Sequence, residues 1–127
     1  NANPGSFRGV LQSIRFMHPK TPLIAVIGPM AELGENAEQF HKEVGEFIYD
    51  SGCKKLLVLG GDLGESYLEG WKNAGGPKDD AKRFESLEEL QNDFQQDWDQ
   101  KSIVLVKGSR SAAMERFVKA ILNHESE

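Results

Sequence analysis

The chain has 127 residues, 39% of them hydrophobic and 28% charged, which predicts one folded domain with a substantial core. Its net charge is −5 and it has no basic stripe, so nucleic acid is not an expected partner. No apolar run approaches the roughly 20 residues that cross a bilayer, so membrane insertion is not expected. The single cysteine, Cys53, excludes an internal disulfide and fits a reducing compartment. The start at Asn1 without methionine suggests a part of a longer protein.

The first predicted element is a helix after Ser6, whose side-chain oxygen can cap it. Its apolar face consists of residues at helical spacing: Phe7, Val10, Leu11, Ile14 and Met17. Prolines at 19 and 22 end this helix. The branched apolar run 23–27 then predicts a strand buried on both faces of a parallel sheet.

A loop over 28–34 leads to a second helix, for which Asn36 and Gln39 resemble a capping box. The apolar stripe of this helix is Phe40, Val44, Phe47 and Ile48. His41 follows a stripe position, and we expect it at the surface or at the core boundary. A second buried strand covers 55–59, and a glycine-rich turn with Asp62 as a helix cap follows it.

The second half of the chain repeats this alternation. A weak helix interrupted by Gly70, a brief strand near 83–85 and a helix capped by Ser86 and Glu89 are predicted in turn. A third buried strand at 103–106 precedes an amphipathic helix formed by Met114, Phe117, Val118, Ile121 and Leu122. The pattern predicts an α/β, Rossmann-like three-layer domain, with a mainly parallel sheet and helices on both faces.

In such folds ligands bind beyond the carboxyl ends of the strands. The predicted loops 28–34, 60–64 and 107–110 meet at that edge, and the start of the first helix reaches it as well. The turn Lys107-Gly108-Ser109-Arg110 lies between a strand and a helix, where free N–H groups and two cations favour an anion. A plain turn with solvated basic residues remains the alternative interpretation.

The sequence shows no catalytic constellation of its own. It has neither the Gly-x4-Gly-Lys-Ser/Thr pattern of a P-loop nor Gly-x-Gly-x-x-Gly. The three histidines are dispersed without zinc spacing, and the acids between 79 and 99 suit solvated helix faces. We therefore expect neither a catalytic residue nor a metal ligand in this chain.

Three ordered segments together resemble the C-terminal domain of the ATP-dependent Mur ligases. They are Asn-Ala-Asn-Pro-Gly-Ser at 1–6, Met-Ala-Glu-Leu-Gly at 30–34 and Leu-Val-Lys-Gly-Ser-Arg at 105–110. The resemblance covers the chain from residue 1 to about 122, and His-Lys-Glu-Val-Gly at 41–45 fits it. It implies that residues 1–127 form the C-terminal domain, without the N-terminal UDP-sugar domain and the central ATPase domain.

The resemblance also implies a function for the complete enzyme. The most similar branch joins D-alanyl-D-alanine to UDP-N-acetylmuramoyl-tripeptide in the cytoplasm, for peptidoglycan synthesis and hence cell-wall biogenesis, cell shape and division. ATP and magnesium would be bound mainly by the central domain, so this domain alone is expected to be inactive. The C-terminal domain of another Mur ligase, or a stand-alone flavodoxin-like module that binds an anion or a protein, are the alternatives.

Site residues follow from the matched motifs. The resemblance places the dipeptide-facing surface at Met30, Glu32, Lys107, Ser109 and Arg110, and the edge of the nucleotide site at Asn1 and Asn3. The family usually has an aspartate where this chain has Pro29. Any polar role of that carboxylate must be absent or moved here.

Overall fold

The computed structural model describes residues 4–28, 34–61, 63–98, 101–108 and 116–119. Four strands alternate with four helices, in the order α1 (Pro4–Met17), β1 (Leu23–Ile27), α2 (Ala37–Asp50), β2 (Lys55–Leu59), α3 (Gly64–Asn73), β3 (Ala81–Phe84), α4 (Leu87–Asp97) and β4 (Ile103–Lys107). Short 3₁₀ turns precede α2 and β3, and 116–119 is helical. Within these ranges no helix is both long and apolar enough to cross a membrane.

The four strands form one parallel sheet in the order β3-β2-β1-β4. From β1 the chain adds β2 and then β3 on one side, and it returns past all three to add β4 on the other. The reversal of strand order falls between β1 and β4, which makes their carboxyl ends the topological switch point of the sheet. The predicted fold class is confirmed.

Helices cover both faces of the sheet. One face packs against α1, α2 and α3, in a core that includes Phe7, Leu11, Val44, Ile48 and Trp71. The other face packs against α4 and the 116–119 segment, through Leu90, Phe94 and Phe117. In the sheet that the described residues form, β4 is an edge strand and is only partly buried along its length, so the prediction of a buried third strand was wrong.

The tightest packing is between α2 and α3. A Cβ atom at Gly45 would overlap the carbonyl oxygen of Tyr67, and one at Gly70 would overlap the carbonyl oxygen of Lys42. The two backbones can approach this closely only because both positions are glycine. Gly70 therefore lies inside an intact helix at the crossing and does not interrupt it, contrary to the sequence-based expectation.

The predicted caps had different outcomes. The Ser86 Oγ atom accepts a hydrogen bond from the Glu89 backbone N–H at 3.2 Å, which confirms Ser86 as the cap of α4. Asn36 precedes α2 but makes no side-chain capping bond. Ser6 lies within α1, which begins at Pro4, so it is not the cap.

Candidate functional site at the carboxyl edge of the sheet

The switch point is organised around Gly28 and Lys107. Ile27 pairs with Lys107 across the ends of β1 and β4, and the Gly28 N–H donates to the Lys107 carbonyl at 2.7 Å. The Lys107 Nζ atom lies 5.4 Å from the centroid of the Phe7 ring, within the range of a cation–π contact. Phe7 is in the first turns of α1 and is fully buried. The start of α1 thus reaches the carboxyl edge, as the topology predicts.

A second polar contact fixes Gly28 from the opposite side. The hydroxyl of Tyr67, which is fully buried in α3, donates to the Gly28 carbonyl at 3.1 Å. Burial raises the pKa of this phenol above its ordinary value, so it remains a protonated donor at physiological pH. Both polar backbone atoms of Gly28 are therefore held, one by β4 and the other by α3.

His41 supports Tyr67 from α2. It is 1% exposed, so the prediction of a surface or boundary histidine was wrong. The ring centroids of His41 and Tyr67 are 4.6 Å apart. The Nδ1–H of His41 donates to the Ala37 carbonyl at 2.6 Å, which leaves Nε2 as a buried acceptor without a partner among the described residues. Burial lowers the pKa of this imidazole and favours its neutral form.

The far end of the same edge has a different charge balance. Arg83, near the end of β3, pairs with Glu65 at 3.1 Å and with Glu85 at 2.6 Å. Two carboxylates meet one guanidinium there, so the local charge does not favour an anion.

Lys107 is the only predicted site residue that falls within the described ranges, and it lies at the switch point where the topology predicts it. The other predicted site residues, Met30, Glu32, Ser109, Arg110, Asn1 and Asn3, lie outside the described residues, as do Pro29 and Asp62. Their assignments stay predictions. Sequence reasoning missed Tyr67 entirely.

A separate cleft of about 270 Å³ opens between α1 and α2. Its lining consists of Arg8, Leu11, Gln12, Phe47, Asp50 and Ser51. The Arg8 guanidinium lies 5.3 Å from the Phe47 ring centroid. The lining of the cleft includes none of the residues described above at the switch point.

The described residues were compared with what a magnesium or triphosphate site requires. In the part of the chain that the structure describes, no three His, Cys, Asp or Glu side chains come together as metal ligands. The sequence also lacks a P-loop pattern.

The fold defines a Rossmann-like α/β domain, a class in which ligands bind at the switch point of the sheet. The family described as "Mur ligase, glutamate ligase domain" matches residues 1–110, so the chain belongs to the Mur ligase family.

Relatives named UDP-N-acetylmuramoyl-tripeptide--D-alanyl-D-alanine ligase match most of the chain. The protein from Escherichia coli (strain K12) is 34% identical over 123 residues, 95% of this chain and 25% of the relative. The protein from Rickettsia prowazekii is 29% identical over 118 residues, 93% of this chain and 25% of the relative. The chain spans about a quarter of the length of these relatives.

Solved structures show the same fold. MurF from Acinetobacter baumannii has a TM-score of 0.77 at 26% identity, over 97% of this chain and 26% of that chain. The MurF ligase from Thermotoga maritima, solved in complex with ADP, has a TM-score of 0.74 at 24% identity, over 94% of this chain and 25% of that chain.

Proposed function

We propose that this chain is the C-terminal domain of a cytoplasmic, ATP-dependent ligase that adds D-alanyl-D-alanine to UDP-N-acetylmuramoyl-tripeptide in peptidoglycan synthesis. The observation that carries the proposal is the match of nearly the whole chain to relatives of that name, in Escherichia coli and Rickettsia prowazekii among others. The position of Lys107 at the switch point supports a role in ligand binding.

The proposed reaction forms one amide bond. The tripeptide carboxylate takes the terminal phosphoryl group of ATP, and ADP leaves. The dipeptide amine then attacks the resulting acyl phosphate, so a C–N bond forms, the C–O bond to phosphate breaks, and the amine loses a proton. We assign ATP and magnesium mainly to a central domain of the full-length enzyme, with Asn1 and Asn3 at the edge of the nucleotide site.

We assign the dipeptide to the carboxyl edge of this domain, in contact with Met30, Glu32, Lys107, Ser109 and Arg110. The dipeptide has a carboxylate at the end remote from its reacting amine. A cation at that end can orient the dipeptide without taking part in bond formation. Lys107 would supply a point charge and Arg110 a two-pronged donor for that carboxylate.

A substrate comparison tests the proposal. The full-length ligase is given UDP-N-acetylmuramoyl-tripeptide, ATP and one amino component at a time, and phosphate release is measured. We expect turnover with D-alanyl-D-alanine but not with L-alanine, D-glutamate or diaminopimelate. Turnover with one of the single amino acids instead would assign the domain to another Mur ligase. The 127-residue chain alone, as a control, is expected to release no phosphate.

A further inference from the structure

The close crossing of α2 and α3 places two buried aromatic rings side by side behind the switch point. His41 lies four residues before Gly45, and Tyr67 lies three residues before Gly70, so each ring is about one helical turn from a crossing glycine. The resulting ring separation is 4.6 Å between centroids. The pair therefore depends on the tightest packing in the domain, and its position has little freedom.

Each ring of the pair also holds a backbone carbonyl. Tyr67 donates its hydroxyl proton to the Gly28 carbonyl at 3.1 Å, and His41 donates Nδ1–H to the Ala37 carbonyl at 2.6 Å. Gly28 directly follows β1 and Ala37 begins α2. The aromatic pair thus connects the end of β1 to the start of α2. The connection consists of the two side-chain hydrogen bonds and the contact between the rings.

The Gly28 peptide links the aromatic pair to β4. Its N–H donates to the Lys107 carbonyl at 2.7 Å while its own carbonyl accepts from Tyr67. Loss of the phenol hydroxyl would leave that carbonyl without its α3 donor and free Gly28 to shift relative to Lys107. Since Lys107 is the described cation at the switch point, such a shift would move the charge that we assign to the amino substrate.

We propose that Tyr67, with His41 packed against it, is a positioning residue for the amino substrate: its hydroxyl holds the Gly28 peptide and so fixes the place of Lys107 at the switch point. The proposal rests on the proposed function for the identity of that substrate. It assigns Tyr67 no contact with the dipeptide itself. Its effect should therefore fall on dipeptide binding and leave the other two substrates alone.

The test is Tyr67→Phe in the full-length ligase, since this change removes only the hydroxyl. We expect the KM for D-alanyl-D-alanine to rise about three- to tenfold, the range for loss of one neutral hydrogen bond. The kcat and the KM values for ATP and UDP-tripeptide should stay unchanged. Tyr49→Phe is the matched control, because Tyr49 packs edge-on against Trp71 near the other end of α2 and should leave all constants unchanged.

A second readout uses the 127-residue chain and needs no substrate. In Tyr67→Phe, amide hydrogen exchange at Gly28 should become faster, while exchange in the middle of β2 should not change. His41→Phe retains a ring but loses the bond to Ala37, and we expect a smaller change at Gly28 in the same direction.

The outcomes separate the two proposals. If the unmodified ligase does not use the dipeptide, the proposed function fails, whereas the Gly28 exchange still tests the tie to Tyr67. An unchanged dipeptide KM in an active Tyr67→Phe enzyme overturns the positioning role alone. A parallel loss in all constants together with a lower melting temperature also overturns it, because that pattern belongs to a purely structural residue.

Discussion

The two edges of the sheet are each tied by one long side chain, yet the two ties differ in what they hold. At the amino edge, Arg15 of α1 donates to four backbone carbonyls, those of His18, Thr21, Ser51 and Gly52, at 2.5 to 3.2 Å. At the carboxyl edge, Tyr67 donates a single hydrogen bond to Gly28. Arg15 thereby closes two turns against each other, whereas Tyr67 fixes one peptide beside a lysine.

The difference leads us to expect that the amino edge mainly stabilises the fold and the carboxyl edge mainly affects substrate binding. The four hydrogen bonds of the Arg15 guanidinium stabilise the fold. The next two side chains along the chain, Phe16 and Met17, are exposed, at 88% and 64%. One hydrogen bond from a neutral phenol contributes about 1 kcal/mol to stability, less than several bonds from a charged group, and it sets the position of the Gly28 peptide. Stability changes should therefore follow substitutions at the amino edge or in the α2–α3 crossing, and substrate binding should follow substitutions at the carboxyl edge.

The largest expected effect is at the crossing that supports Tyr67. Gly45→Ala would drive a Cβ into the Tyr67 carbonyl, so we expect the free energy of unfolding to fall by about 3 kcal/mol or more. Gly9→Ala is the matched control, because its added Cβ meets no atom within 4 Å on an exposed helix position. It should stabilise the chain by about 0.5 to 1 kcal/mol in urea unfolding. Equal stabilities for the two variants would contradict the described crossing.

Arg15→Ala is the next largest. Loss of a charged donor to several carbonyls should lower the free energy of unfolding by about 2 kcal/mol, since part of the site is open to water. Arg15→Lys should recover only part of this loss, because an ammonium group cannot reproduce the forked geometry. Urea unfolding of the three chains measures both changes. A rise in dipeptide KM in the full-length Arg15→Ala ligase would remove the proposed distinction between the edges.

A smaller effect concerns the pH dependence of stability through His41. Its pKa is lowered from 6.5 by burial, while the same group in the unfolded chain retains its ordinary value. As the pH falls below about 6.5, the unfolded chain binds a proton before the folded chain does, so stability decreases until the folded-state pKa is passed. Tyr67, the ring neighbour, stays protonated throughout, because burial raises its pKa.

Melting temperatures between pH 7.5 and 5.5 can isolate this contribution. His41→Phe should show a shallower decline than the unmodified chain, whereas His18→Gln, at an exposed position, should show the same decline. Carboxylates contribute equally to all three chains, so the differences between the curves report on the histidines. A decline in His41→Phe as steep as in the unmodified chain would mean that the imidazole is not held neutral by the fold.

The strands were predictable because their signal is local: the apolar runs at 23–27 and 55–59 match β1 and β2 to the residue. The carboxyl edge as the place for Lys107 followed from strand–helix alternation alone. His41 could have been found as a buried residue, since it lies three residues before Val44 and seven before Ile48, on the helix face that is buried. The buried stripe was defined by apolar residues only, so His41 was not assigned to it.

The Tyr67–Gly28 bond could not be predicted, because the two residues are 39 positions apart and meet only in the folded chain, where α3 packs beside α2. That crossing depends on Gly45 and Gly70, and a glycine within a helical pattern is read locally as a weakness. The folded structure shows instead that the absence of a Cβ at these glycines lets the two helix backbones come into contact. The predicted roles of Met30 and Glu32 depend on the resemblance, whereas those of Ser109 and Arg110 also follow from the basic turn between a strand and a helix.

The most direct test of the central claim is the dipeptide KM of the full-length ligase with substitutions at the two edges. Lys107→Met keeps an unbranched side chain and removes the charge that lies over the Phe7 ring, and Arg110→Ala removes the proposed fork. Each should raise the KM for D-alanyl-D-alanine about tenfold or more, as for loss of a charged hydrogen bond, while the KM for ATP stays unchanged. Arg15→Ala should leave the dipeptide KM unchanged. An unaltered dipeptide KM in both carboxyl-edge variants, or a raised KM for ATP instead, would contradict the assignment of the amino substrate to this edge.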